Sequence, residues 1–451
     1  MRLTALTVGV VFFVSAMGQA AKIAVIDSGV DYKHKGLSAN MWTNSNNQTV
    51  DADGKVYKDD THGWNFAEKN NQIIDYKYLG TFSTDCTKIF DVQAKIIQGS
   101  ATADEKSWYD AKKKDSTFLA ELQKFGNFVH GTHVSGISAF EATPANLVGV
   151  KLIPTAPPGS QADRFLVQFE SQFGRSINSG RDNPLAKLYL SMMAKQQGQM
   201  LLPVGKYTAA VNADVANGSF GASVTSVMPV LKNALTQLLG KEPTEAELKD
   251  YTIFFINEMV TSQKEFVAAA PKTLFVFAAG NDGKNNDELP VAPANIKTDN
   301  TISVAATLGT DSLAIFSNYG ATMVDVAAPG VAVLSSIPGD VYLRMSGTSM
   351  AAPFVTNVAG VVKDANPALT AVEIKKVLMD TVDVKAFLQG KVKSSGIVNR
   401  ARAEKAALLS KDRSLGEAIR LARETIVDIH SEGPRPFITD VIVVPMPDLF
   451  Y

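Results

Sequence analysis

Residues 22–29 read KIAVIDSG. After its lysine the segment is continuously apolar through Ile26, the pattern of a strand covered on both faces of a parallel sheet. Comparable short runs recur at 147–152, 213–216 (interrupted by Asp214), 273–279 and 301–306. Helical patterns separate several of them. Residues 370–381 carry Val372, Ile374, Val377 and Leu378 near helical spacing, and Thr244 with Glu247 forms a capping box ahead of an apolar-periodic stretch through Met259. Strands alternating with helices predict an α/β fold of three layers, a mainly parallel central sheet with helices on both faces.

The 451 residues carry 44 basic and 45 acidic side chains, a net charge of −1. No basic stripe is present, which argues against a nucleic-acid partner, and the run Lys112, Lys113, Lys114 reads as a solvated helix face flanked by Asp110 and Asp115. The lone Cys86 excludes an internal disulfide. No histidine adjoins it, so it reads as an inert thiol. The chain opens like a secretory signal. Arg2 precedes an apolar run at 3–14, and Ser15, Ala16, Gly18 and Ala20 supply small residues for cleavage after Ala20 or Ala21. No later run is long and apolar enough for stable membrane insertion. Residues 44–125 and 154–199 read as insertions. From about 408 the chain becomes a charged amphipathic helix (Leu415, Ile419, Leu421, Ile426), then an apolar tail at 437–451. The expected division is a signal at 1–20, one domain at 21–407 with the two insertions, and an extension at 408–451.

Four segments carry chemistry. Asp27 ends the first strand at the sheet edge where ligands and catalytic groups collect. A carboxylate there orients a histidine and stabilises its charged form, though taken alone an aspartate at a strand end more often forms a turn. His130-Gly131-Thr132-His133-Val134-Ser135-Gly136 supplies two histidines three apart; the segment is expected to open a helix. The zinc pattern with glutamate between them is absent, which favours a general base over a metal ligand. Phe277-Ala278-Ala279-Gly280-Asn281 ends an apolar strand in an amide, a donor for a developing oxyanion or a turn asparagine. Ser346-Gly347-Thr348-Ser349-Met350-Ala351-Ala352-Pro353 lets a helix start tightly at Ser349, with its oxygen exposed in the positive field of the helix N-terminus. A helix-capping serine is the plainer alternative.

In this order the four segments resemble the subtilisin-like serine proteases (the subtilases). The order aspartate, histidine, serine sets that family apart from other triad folds, and a lipase or esterase would show Gly-x-Ser-x-Gly in another order. The resemblance runs from about Lys22 to Ala406, including Gly396-Ile397-Val398-Asn399, and omits the insertions and the tail. It implies a subtilisin-like three-layer fold and a secreted serine endopeptidase acting on peptide or protein substrates. Asp27, His130 and Ser349 would be its triad and Asn281 its oxyanion donor, with His133 a packing residue. Ser219, Phe220 and Gly221 would lie along the substrate, with Ala279 and Gly280 as the opposite wall of a roomy pocket for large apolar side chains. No cofactor is required. Asp51, Asp53, Asp59 and Asp60, ahead of Gly63-Trp64-Asn65-Phe66, resemble a loop of bacterial subtilases whose oxygens suit a structural calcium, and a polar turn explains them equally well. Family members usually carry an N-terminal pro-segment. Here the first strand directly follows the signal-like run, so the extension after Leu408 or an insertion is expected to stabilise the domain. A non-catalytic peptide binder and a narrow processing protease are the alternative readings. Oligomeric state is open.

Overall fold

The computed structural model describes residues 20–97, 99–139, 146–156, 161–173 and 183–429. The signal-like run and the apolar tail lie outside them. Nine strands of the central sheet lie in the order Asp383–Val384, Gly396–Ile397, Val326–Pro329, Thr301–Leu308, Leu274–Ala278, Val215–Gly218, Lys22–Asp27, Asn146–Lys151, Gly63–Asn65. From Gly396–Ile397 to Gly63–Asn65 every pairing is parallel. Asp383–Val384 and a tenth short strand, Ser312–Leu313, pair antiparallel. Lys22–Asp27 sits between partners that come later in the chain on either side. Asp27 therefore ends at the point where the connections diverge and leave a crevice.

Side-chain alternation splits the core into two layers. Ile23, Val25, Val215, Val276 and Val304 point to one face. That face is covered by helix α3 (Ser116–Ser138) and by α8 (Thr348–Ala365), with α1 (Asp85–Ile97) and α2 (Ala103–Lys112) packed at the margin. Ala24, Ile26, Val150, Ala216, Phe275 and Phe277 point to the other. Helices α4 (Gln161–Phe173), α5 (Pro184–Ala210), α6 (Val224–Leu239) and α7 (Glu245–Ala268) cover it. This is the three-layer arrangement expected from the strand pattern.

Both insertions contain ordered helices. The helix bearing His130 does not open at the histidine motif. It begins at Ser116, capped by Asp115, whose carboxylate accepts from the N–H groups of Thr117 at 3.0 Å and Phe118 at 3.1 Å. His130 is thus an interior helical residue. The weakly periodic stretch at 154–199 contains α4 and most of α5. Small residues hide the α5 packing face from a periodicity reading: a Cβ on Gly198 would come within 2.8 Å of Ser262 on α7, so the two backbones touch where the sequence looks featureless. The predicted capping box exists, with Thr244 N–H donating to Glu247 at 2.9 Å and Glu247 N–H donating back to Thr244 at 3.3 Å. Its helix runs beyond Met259 to Ala268.

Helices α9 (Ala371–Asp380), α10 (Arg400–Leu409) and α11 (Leu415–Thr425) are the last among the described residues. Ile419 and Ala422 of α11 join the main core. Behind α11, the Arg402 guanidinium donates to Asp383 at 3.0 Å, Asp428 at 2.7 Å and the Ile426 carbonyl at 2.8 Å, clamping the end of the described chain to the sheet edge.

Candidate active site

Asp27 ends a sheet strand, Ser219 and Asn281 follow the carboxyl ends of two others, and α3 and α8 bring His130 and Ser349 to the same side. Asp27 Oδ1 lies 2.7 Å from His130 Nδ1, and both side chains are fully buried. The Ser28 N–H also donates to Asp27 Oδ1 at 2.7 Å, fixing the carboxylate. The close approach of α3 depends on Gly131. A Cβ there would sit 2.8 Å from Gly29 N, closer still to Gly29 O, and 3.1 Å from Asp27 Cβ. Sequence reasoning gave Gly131 only a general packing role, because a clash between residues a hundred positions apart is invisible in a one-dimensional string.

Ser349 is the second residue of α8. Its oxygen was expected to be exposed, but the residue is only 2% exposed and Thr348 to Pro353 are all buried, since their small side chains let the helix start sink against the sheet. Ser349 Oγ donates to the Ser219 carbonyl at 3.4 Å, and the Ser219 hydroxyl donates to the Ser349 carbonyl at 3.1 Å. Asn217 donates to Ser219 Oγ at 2.9 Å and accepts from Thr356 at 3.0 Å, tying the strand end to α8.

Asn281 is held by its oxygen. Oδ1 accepts from Thr348 N–H at 2.9 Å and from Thr348 Oγ1 at 2.8 Å, which leaves Nδ2 as the free donor face of the amide. Thr348 was not singled out from the sequence, although its place between Gly347 and Ser349 was a signal. Gly280, with φ of +113°, makes the turn into Asn281, and its Nδ2-facing neighbour Asn318 would be 2.5 Å from any Cβ. Gln93 of α1 was also missed. It is buried, donates to Ser346 at 3.4 Å and accepts from Tyr109 at 3.0 Å, so the first insertion reaches the turn just before Ser349.

Three buried polar atoms here have no hydrogen-bond partner: Asp27 Oδ2, His130 Nε2 and Asn281 Nδ2. Buried groups are almost always satisfied within a protein, so three orphans in one crevice mark a place built for something else to bind. Ser349 Oγ bonds the Ser219 carbonyl and not His130 Nε2. His133 differs. Its Nε2 lies 2.9 Å from the Leu343 carbonyl, and burial, with the neighbouring His130, pushes its pKa down to about 3. It is a neutral packing residue, as the motif resemblance implied.

The other expected site residues divide. Ser219, Gly221, Ala279 and Gly280 line up behind the strand ends, while the Phe220 ring is fully buried in the core layer beneath. The four aspartates do not form one ligand set. Asp51 accepts from the N–H groups of Asp53 and Lys55, both at 3.0 Å, and from Tyr57 at 2.9 Å. Asp53 pairs with Lys206. Asp60 accepts from Asn44 at 2.6 Å, Thr49 at 2.5 Å and Tyr207 at 2.8 Å. Asp59, with φ of 55°, stands in a turn. Protein donors meet the carboxylates of Asp51, Asp53 and Asp60, and among the described residues no three acidic, histidine or cysteine side chains converge as metal ligands.

Known proteins bear on this geometry. Alkaline elastase YaB of Bacillus sp. (strain YaB) is 42% identical over 114 residues, 25% of this chain and 29% of the elastase. Subtilisin Savinase of Lederbergia lenta is 37% identical over 132 residues, 29% of this chain and 46% of that protein. The chain thus spans less than half the length of these curated relatives. A solved structure described as a cold adapted subtilisin-like serine proteinase aligns with 85% of this chain and 88% of its own, at 18% identity and a TM-score of 0.45. A sequence model of the subtilase family matches residues 18–407, from before the first strand into α10, and with all four motifs inside that span the chain belongs to the subtilase family.

Proposed function

We propose that the chain is a secreted serine endopeptidase. The observation that carries this reading is the cluster of orphaned polar atoms on Asp27, His130 and Asn281 beside Ser349. A serine hydroxyl is a weak nucleophile at neutral pH. In this account His130 Nε2 takes the Ser349 proton as Oγ bonds the peptide carbonyl carbon. Asp27 holds His130 through Nδ1 and stabilises the imidazolium. The carbonyl oxygen becomes an oxyanion and receives hydrogen bonds from Asn281 Nδ2 and the Ser349 N–H, at the positive end of α8. The imidazolium returns its proton to the departing amine, leaving an acyl-enzyme. Water then attacks, His130 again accepts the proton, and Ser349 is released.

Substrate is read as an extended strand laid along Ser219 to Gly221, with its P1 side chain between that segment and Ala279–Gly280. Small residues on that wall favour large apolar side chains. Residues 1–20 supply the export signal. The reading is tested with fluorogenic peptides. It predicts hydrolysis that is absent in Ser349→Ala, and faster cleavage after Phe or Leu than after Gly, Asp or Lys. No hydrolysis by folded protein would instead favour a peptide binder. A flat profile would remove the pocket assignment alone.

A further inference from the structure

The half-buried carboxylate Asp364 lies at the last turn of α8, the helix that begins with Thr348 and Ser349. That is the negative end of the helix dipole, where a carboxylate is disfavoured. A second acid, Asp214, stands nearby, and burial raises the Asp364 pKa. Asp364 accepts one short hydrogen bond, from the backbone nitrogen of Ala21 to Oδ1 at 2.6 Å. The surrounding cations are already engaged: Lys363 Nζ lies 3.5 Å from Asp214 and donates to the Leu369 carbonyl at 3.0 Å, and Lys22 Nζ donates to the Val211 carbonyl at 2.6 Å. Asp364 is thus a carboxylate whose close partner is a neutral amide.

That amide belongs to the first residue after Gly18-Gln19-Ala20, whose small residues at the first and third positions fit the pattern a signal peptidase prefers. Ala21 itself is buried, and Lys22 N–H next along donates to Asp214 Oδ2 at 3.0 Å. We infer that processing occurs between Ala20 and Ala21 and that the new α-ammonium of Ala21 becomes the counter-ion of Asp364. Hydrolysis of that peptide bond leaves a carboxylate on Ala20 and an amine on Ala21. The amine is protonated at neutral pH, and its nitrogen already sits at ion-pair distance. Removing the leader thus converts a neutral hydrogen bond into a charged one that ties the first strand to the base of the nucleophile's helix. This extends the export reading above.

The test compares two forms of the full domain. One is exported and processed from the full chain. The other is made without export, residues 1–19 replaced by an affinity tag, so that Ala21 keeps an amide N–H. Intact mass and N-terminal sequencing should show that the exported form begins at Ala21. Asp364→Asn should lower its melting temperature by roughly 2–4 °C or more and leave the tagged form nearly unchanged. A chain that is not exported would overturn the export reading and this inference together, and an exported chain that keeps its leader would overturn this inference alone. A start at Lys22 or later, or an equal effect of Asp364→Asn in both forms, would overturn this inference alone.

Discussion

Gly131→Ala is a sharp test of how the site is assembled. A Cβ at this position would lie 2.8 Å from Gly29 N and 3.1 Å from Asp27 Cβ. Carbon contacts settle near ~3.5 Å, so α3 must retreat from the first strand by roughly 0.7 Å at the least. The obstacles are backbone atoms, which cannot rotate away. The His130–Asp27 separation, 2.7 Å in the native protein, would then open to the limit of a useful hydrogen bond. Displacements near 1 Å at a catalytic group cost about 100-fold, so kcat/KM should fall roughly 30- to 100-fold, mostly in kcat. The assay is steady-state hydrolysis of a fluorogenic peptide, corrected for folded fraction by thermal unfolding. Gly136→Ala, on the same helix, provides the control. Its Cβ meets the hydroxyl ends of Ser335 and Ser336 and, at 3.1 Å, the Ser336 backbone nitrogen, all on the strand Val333–Ile337 and none beside Asp27, so the His130 contact should survive with a loss of a few fold. Gly131→Ala activity within threefold of wild type, in folded protein, would refute the claim that this glycine sets the Asp27–His130 distance.

Three other changes follow from the same geometry. Asn281→Ala should lower kcat by about 100- to 1000-fold with little change in KM, a range established for oxyanion donors within this family; a loss under tenfold would remove Asn281 from that role. His133 binds no proton in the native state until pH falls to about 3, whereas in the unfolded chain it titrates near 6.5, so stability should decline as pH drops through that window by up to about 1.4 kcal/mol per unit. Denaturant unfolding of His133→Gln should show a shallower pH slope, and equal slopes would contradict the burial argument. Arg402→Ala strands the fully buried Asp383 and frees the segment after α11, so unfolding free energy should fall by about 3–5 kcal/mol, while Arg413→Ala, an exposed pair with Glu417, should cost under about 1 kcal/mol.

Much of this was readable in advance, for physical reasons. Parallel strands buried on both faces must be continuous apolar runs, so 22–26 and 273–279 announced the sheet, with boundaries off by a residue or two. The proposed mechanism needs particular side chains in a particular order, so Asp27, His130, Asn281 and Ser349 stood out together as candidates. Contacts between distant segments were not readable. Gly131 against Gly29, Thr348 holding Asn281, and Gln93 reaching Ser346 each depend on how separate elements meet. The α5–α7 pair escaped notice because its close approach uses glycine and serine, which carry no hydrophobic signal. The aspartate loop left two readings open, a cation site and a polar turn, because an oxygen-rich string does not show which donors meet its oxygens; Tyr57, Lys206, Thr49 and backbone N–H groups do so here.

The central claim is that Ser349 is an activated nucleophile served by His130 and Asp27. Incubation of the purified protein with a fluorophosphonate, followed by peptide mass mapping, tests it most directly. The account predicts a single phosphonyl adduct on Ser349, formed with loss of fluoride, absent in Ser349→Ala and at least about 100-fold slower in His130→Ala. Folded wild-type protein that stays unlabelled, or labels as fast without His130, would contradict it.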